Sequence, residues 1–138
     1  MTDRFQAQVV VEGHARGPLS VLLEPVSFWG GFDPLTGEIT DVHHPQHGAK
    51  IGGTIVAMRS GRGSSSASSV LLEAVRLGSA PLAFILTEPD EILVVGALVG
   101  YELYGVATPV LVMDSSDHDH LRNGEFVDID REGTVISS

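Results

Sequence analysis

Apolar and polar positions alternate along this chain with periods that assign most of its elements. Residues 54–58, Thr-Ile-Val-Ala-Met, form a continuous apolar run of strand length. Residues 70–77 have the three-to-four spacing of a helix and stop at Gly78. Residues 81–86 and 109–113 are further short apolar runs, as expected for strands buried on both faces. Between them, residues 92–103 predict a helix loosened by Gly96 and Gly100, and Thr87-Glu88-Pro89-Asp90 ahead of it resembles a capping box with Asp at the reciprocal position. Residues 125–130 alternate apolar and acidic side chains, which predicts a half-exposed strand paired across Arg131-Glu132-Gly133 with residues 134–137. At the other end, residues 7–13 and 19–24 predict an opening hairpin across a Gly-Pro turn.

Beta runs at both ends with two strand–helix units between them predict a mixed α/β fold, and a chain of 138 residues suits a single domain over residues 1–138. Residues 25–53 fit neither period. They are rich in Gly, Pro and His, with turns at Asp33-Pro34 and Thr36-Gly37-Glu38 and a brief extended piece around Ile39. So long a connection, against a usual loop of about 4–6 residues, is functional or disordered, and the aromatic cluster Phe28, Trp29 and Phe32 argues for order. That cluster has two readings, a core anchor or a partner-binding surface.

Composition narrows the function. Eighteen acidic residues against eight Lys and Arg give a net charge of −10, which disfavours nucleic acid and anionic membranes. With no cysteine, the chain can form no disulfide and offers no thiolate to a metal or cluster. A start without a signal-peptide core, and no apolar run long enough to span a bilayer, predict a cytoplasmic protein with no membrane segment. The histidines at 43, 44 and 47 have spacing a metal could use on a helix, but Pro45 breaks that geometry, so they read as loop or interface residues. Asp117-His118-Asp119-His120 reads as a solvated loop.

The candidate chemistry lies in Ser60-Gly61-Arg62-Gly63-Ser64-Ser65-Ser66, between the strand at 54–58 and the helix at 70–77. Free amides and the positive end of the helix dipole there favour a carboxylate, a phosphate or a developing oxyanion. One serine can serve as an ordinary N-cap; the other hydroxyls and Arg62 suit an anion. The lysine of a phosphate P-loop is missing, and no spacing selects a Ser-His-Asp triad.

Taken in order, the segments Ser27-Phe28-Trp29-Gly30-Gly31-Phe32-Asp33-Pro34-x-Thr36-Gly37, His44-Pro45-x-x-Gly48, Gly61-Arg62-Gly63-Ser64-Ser65-Ser66, Glu91-Ile92-Leu93 and Pro109-Val110 resemble the small subunit of the aconitase X family over residues 7–130. The resemblance implies the swivelling β/β/α domain of aconitases, with a barrel-like β core and flanking helices. It also implies a cysteine-bearing large subunit that holds an iron–sulfur cluster. The implied activity is dehydration of a small carboxylate: cis-3-hydroxy-L-proline to Δ1-pyrroline-2-carboxylate, or mevalonate 5-phosphate in the archaeal branch. Trp29 is more like the hydroxyproline branch. By the family motif, Ser64 is the base that takes the proton next to the carboxylate, with Arg62, Gly63, Ser65 and Ser66 around the substrate. Ser66 stands where aconitases carry an arginine, so carboxylate binding falls to Arg62, to turn amides or to the large subunit. The alternative of another class is a non-catalytic module that holds a small anion.

Overall fold

The computed structural model describes residues 2–59 and 66–138. Four strands, β3 (Ala15–Val21), β6 (Ile55–Ala57), β7 (Ala83–Leu86) and β8 (Val110–Val112), run parallel side by side in that order. Antiparallel strands extend both sides: β9 (Phe126–Ile129), β10 (Thr134–Ser137) and β1 (Asp3–Gln6) beyond β3, and β2 (Gln8–Val11) beyond β8. Only Ala7 separates β1 from β2, yet they lie at opposite ends of the strand order. One N-terminal stretch thus draws the two ends of the sheet together, and the sheet rolls into a nearly closed barrel.

The period of two divides the apolar residues into two cores. On β6 and β7, Ile55, Ala57, Ala83 and Ile85 point into the barrel, where they meet Leu19, Leu111, Val127, Ile129 and Val135. Their neighbours Val56, Phe84 and Leu86 face outward into a second core with Leu71, Ala74, Leu93 and Ala97 of two helices, α2 (Ala67–Leu77) and α3 (Glu91–Tyr104). Burial on both faces is why these strands read as unbroken apolar runs. The two helices pack closely because Gly96 and Gly100 lie against Leu71 and Val75; a Cβ at Gly96 would stand 2.9 Å from Leu71 Cδ2. Those glycines, read in the sequence as loosening α3, are notches that seat α2.

The expected opening hairpin is not formed. β3 has β9 on one side and β6 on the other and so has no edge free for β2, which pairs with β8 at the end of the strand order instead. Gly17 and Pro18 are not a turn but lie inside β3, where Gly17 lets Leu82 approach to 2.7 Å from the position of a Cβ. The expected closing hairpin is present as β9 and β10, with Val127 and Ile129 inward.

The long connection between β3 and β6 is ordered. It holds a short turn, α1 (Phe28–Gly31), and a two-stranded ribbon of β4 (Phe32–Asp33) and β5 (Glu38–Ile39). Both readings of its aromatic cluster apply to different residues. Phe28 and Phe32 are buried, with Phe28 edge-on to Phe84 at 5.6 Å between ring centres, whereas Trp29 is exposed.

Candidate functional site at the ends of the parallel strands

The expected anion-binding turn leaves the C-terminal end of β6 and leads into α2, on the side of a parallel sheet where loops and helix N-termini gather. Arg62, Gly63, Ser64 and Ser65 lie outside the described residues; Ser66 and the frame that carries the turn are described. Ser66 is exposed, in helical conformation at the N-cap of α2, and makes no side-chain capping bond. The first turn of α2 contains no acidic residue. At α3 the arrangement is the opposite: Asp90 caps the helix by accepting from the amides of Ile92 (2.9 Å) and Leu93 (3.2 Å), and Glu91 follows in the first turn. Of the two long helices, α3 is closed by its own carboxylates, whereas the first turn of α2 carries none to offset the positive end of its dipole.

Thr87 is therefore not the N-cap expected from the capping-box pattern. Its amide donates to the Arg59 carbonyl at 2.8 Å, and its hydroxyl donates to the same oxygen. Pro89 between Thr87 and Asp90 carries no amide to donate, and the cap passes to Asp90. Thr87 thus fixes the last described residue before the turn. The Arg59 guanidinium lies 3.4 Å from Asp119, beside the short helix α4 (Ser115–His118), so the exits of β6, β7 and β8 converge on Arg59. On the far side of the turn, the Ser68 hydroxyl donates to the Ile92 carbonyl at 2.8 Å and ties the start of α2 to α3.

Arg59, Asp119 and His118 also line a cavity of about 200 Å³ with Leu22, Leu23 and Leu121. The buried His118 imidazole donates from Nε2 to the Ile85 carbonyl at 3.1 Å. Its neighbours Asp117 and Asp119 are at or near the surface, so the run at 117–120 is only partly the solvated loop expected. His44 likewise serves the fold: Nδ1 accepts from the Gln46 amide and Nε2 donates to the Glu24 carbonyl at 2.8 Å. His43 and His47 are exposed. Among the described residues no three His, Asp or Glu side chains converge as a metal site. No described helix is long and apolar enough to cross a membrane.

The meeting of Thr87 and Asp119 at Arg59 escaped the sequence reading, which took Thr87 as part of a capping box and Asp119 as part of a solvated loop. The available signal was the position of Arg59 between a buried strand and a glycine-hinged turn; the partners come from loops far apart in sequence.

A nearly closed barrel with a parallel centre and two helices packed on its outer face, with a glycine- and serine-rich sequence joining β6 to α2, defines the class of swivelling β/β/α domains. The family model described as the aconitase X swivel domain matches residues 4–137, and the chain belongs to that family. It is 47% identical over 103 residues to the cis-3-hydroxy-L-proline dehydratase of Pseudomonas aeruginosa, a match that covers 75% of this chain and 18% of that protein. It is 34% identical to the phosphomevalonate dehydratase small subunit of Pyrococcus furiosus, covering 94% of this chain and 90% of the relative. The chain spans only about a fifth of the length of the hydroxyproline dehydratases it matches. The crystal structure of Thermococcus kodakaraensis aconitase X in its holo-form superposes with a TM-score of 0.85 at 30% identity, covering 99% of this chain and 98% of that one.

Proposed function

We propose that this chain is the swivelling subunit of an aconitase X-type dehydratase that eliminates water from a small hydroxy-carboxylate, cis-3-hydroxy-L-proline being the substrate best supported. The observation that carries the reading is the N-terminus of α2, whose first turn has no acidic residue and where Ser66 makes no capping bond, in a chain whose family match runs from residue 4 to 137. The higher identity to a hydroxyproline dehydratase supports the choice of substrate.

In this reading Ser64 takes the proton from the carbon that bears the carboxylate. The hydroxyl leaves from the adjacent carbon, and the resulting enamine tautomerises to Δ1-pyrroline-2-carboxylate with release of water. A serine hydroxyl is a poor base in bulk water, and it can act as an alkoxide only where amide donors and positive potential hold it. The start of α2 supplies that potential. Arg62, Gly63, Ser65 and Ser66 hold the substrate carboxylate through the guanidinium, backbone amides and hydroxyls.

An iron–sulfur cluster does not fit the donors of this chain, which has no cysteine and no convergent set of three other ligands among its described residues. The cluster is assigned to a cysteine-bearing large subunit, and departure of the hydroxyl falls to that partner.

The test is reconstitution with a large-subunit candidate from the same organism, assayed with cis-3-hydroxy-L-proline and with mevalonate 5-phosphate. The chain alone should be inert and the complex active on the first substrate. Ser64→Ala should lower turnover by orders of magnitude with assembly intact. Normal turnover in that variant overturns the role of Ser64; activity only on the phosphate ester transfers the reading to phosphomevalonate dehydration. A complex inert on both substrates leaves a non-catalytic anion-binding module.

A further inference from the structure

A second cavity, of about 390 Å³, lies where the parallel strands begin, at the end of the sheet away from the exit of β6. Its wall runs from the second half of α3 to Thr108, two residues before β8, and across to the β2–β3 connection. Much of that wall is apolar, formed by Val11, Ala97, Leu98 and Tyr101. Two polar features stand out against it. Thr108 is only 2% exposed, yet its hydroxyl has no hydrogen-bond partner among the described residues. A buried hydroxyl without a partner is costly and uncommon, and Thr108 borders a space from which a ligand can supply one. Toward solvent, Arg131 Nη1 and Glu12 Oε1 stand 3.5 Å apart, on side chains that are both largely exposed. His14, on the same wall, is held by Asp128 at 3.1 Å, and Asp128 also binds Arg16 at 3.1 Å. The mouth therefore offers a ligand one cation and one anion side by side.

We propose that this cavity binds a free α-amino acid whose side chain has an apolar body and a hydroxyl at its end. The α-carboxylate meets Arg131, the α-ammonium meets Glu12, the apolar body lies along Val11, Ala97 and Leu98, and the terminal hydroxyl bonds Thr108. An exposed ion pair such as Arg131–Glu12 contributes little, so a zwitterion opens it at small cost and replaces one opposite-charge contact with two. Other occupants match less of the wall. A simple anion leaves Glu12 facing like charge, in a chain of net charge −10; a simple cation does the same at Arg131. A wholly apolar molecule leaves the Thr108 hydroxyl without a partner. The volume is within the range of small-molecule sites, about 300–1,000 Å³. The proposal does not rest on the dehydratase reading: none of these residues belongs to the Gly-Ser turn or its frame.

The test titrates the full chain with L-tyrosine, followed by backbone amide shifts and by calorimetry. The shifts should centre on Val11, His14, Leu98, Tyr101, Thr108 and Arg131, and leave Ser68 and Thr87 unmoved. Three analogues each lack one contact: tyramine the carboxylate, para-hydroxyphenylpropionate the ammonium, and L-phenylalanine the hydroxyl. Each should bind about tenfold or more weakly than L-tyrosine. Arg131→Gln and Glu12→Gln alter exposed side chains, and their thermal unfolding should stay close to that of the unsubstituted chain. Arg131→Gln should weaken L-tyrosine about tenfold without weakening tyramine, and Glu12→Gln should do so without weakening para-hydroxyphenylpropionate. Thr108→Val should remove the preference for L-tyrosine over L-phenylalanine; if that variant does not fold, the two ligands compared on the unsubstituted chain decide the same contact. The site is overturned if L-tyrosine does not bind up to its solubility limit, or if the shifts fall elsewhere. It is equally overturned if the three analogues bind as well as L-tyrosine, or if both charge variants bind L-tyrosine normally.

Discussion

The carbonyl oxygen of Arg59 accepts from both the amide and the hydroxyl of Thr87, so the loop after β7 holds the last described residue before the Gly-Ser turn. A turn that must place a serine on a substrate carbon gains from such a clamp, because small misplacements of a reacting group cost large factors in rate. Thr87→Val removes the hydroxyl bond and keeps the shape. In the reconstituted complex it should lower kcat about tenfold or more with a smaller change in KM, and Thr87→Ser should restore most of the loss. Steady-state kinetics of the two variants checks this. Equal loss in both assigns the residue to packing instead.

Asp90, and not Thr87, is the cap of α3, and the two residues should separate in stability measurements. Asp90→Ala leaves the amides of Ile92 and Leu93 without their acceptor and should destabilise the fold by about 1 kcal/mol. Asp90→Asn or Asp90→Ser should lose only a fraction of that. Urea denaturation of the isolated chain is the measurement, with Thr87→Val expected to have the smaller effect.

The elements legible in the sequence were those whose side chains decide them locally. β6, β7 and β8 are buried on both faces and read as continuous apolar runs; α2 ends at Gly78 because that residue adopts the left-handed conformation there. What escaped was pairing. The residues of β2 and β3 say that each is a strand, but the choice of β8, β9 and β6 as neighbours depends on closure of the whole barrel, which no local pattern carries. β1 was missed for a related reason. Asp-Arg-Phe-Gln has one apolar side chain in four residues and gains its ladder only because β10 offers an edge. At the candidate site, Ser64 and its neighbours were legible as a motif. The clamp at Arg59 was not, since Thr87 and Asp119 reach it from loops that the sequence does not place together.

Gly52 occupies a position where nothing larger fits. A Cβ there would stand 2.2 Å from the backbone oxygen of Ser79 and 3.1 Å from the Cα of Gly37, and neither backbone can yield without moving the β3–β6 connection off the end of α2. Gly52→Ala should therefore cost about 3 kcal/mol, at the upper end of overpacking substitutions. Gly48 is a useful contrast. It has a φ of 88° with nothing within 4 Å of where a methyl group would stand, so Gly48→Ala should cost only the left-handed backbone penalty of about 1 kcal/mol. Denaturation midpoints of the two variants give the comparison.

Asp130 gives the fold a defined sensitivity to acid. Its carboxylate accepts from the amides of Thr134 at 3.0 Å and Glu132 at 2.9 Å in the turn between β9 and β10, and the Thr134 bond is the main reason its pKa lies below the usual value of 3.8. A group whose folded pKa is depressed adds stability above its unfolded pKa and loses it as pH falls through the folded value. Asp130→Asn should thus be less stable than the unsubstituted chain at pH 7, by an amount that stays constant down to about pH 5 and shrinks below the ordinary carboxylate range near 3.8. Thermal melts of both chains between pH 3 and 7 follow the difference. A gap that does not narrow on acidification shows that the Asp130 charge contributes nothing and that the variant acts through the geometry of the turn.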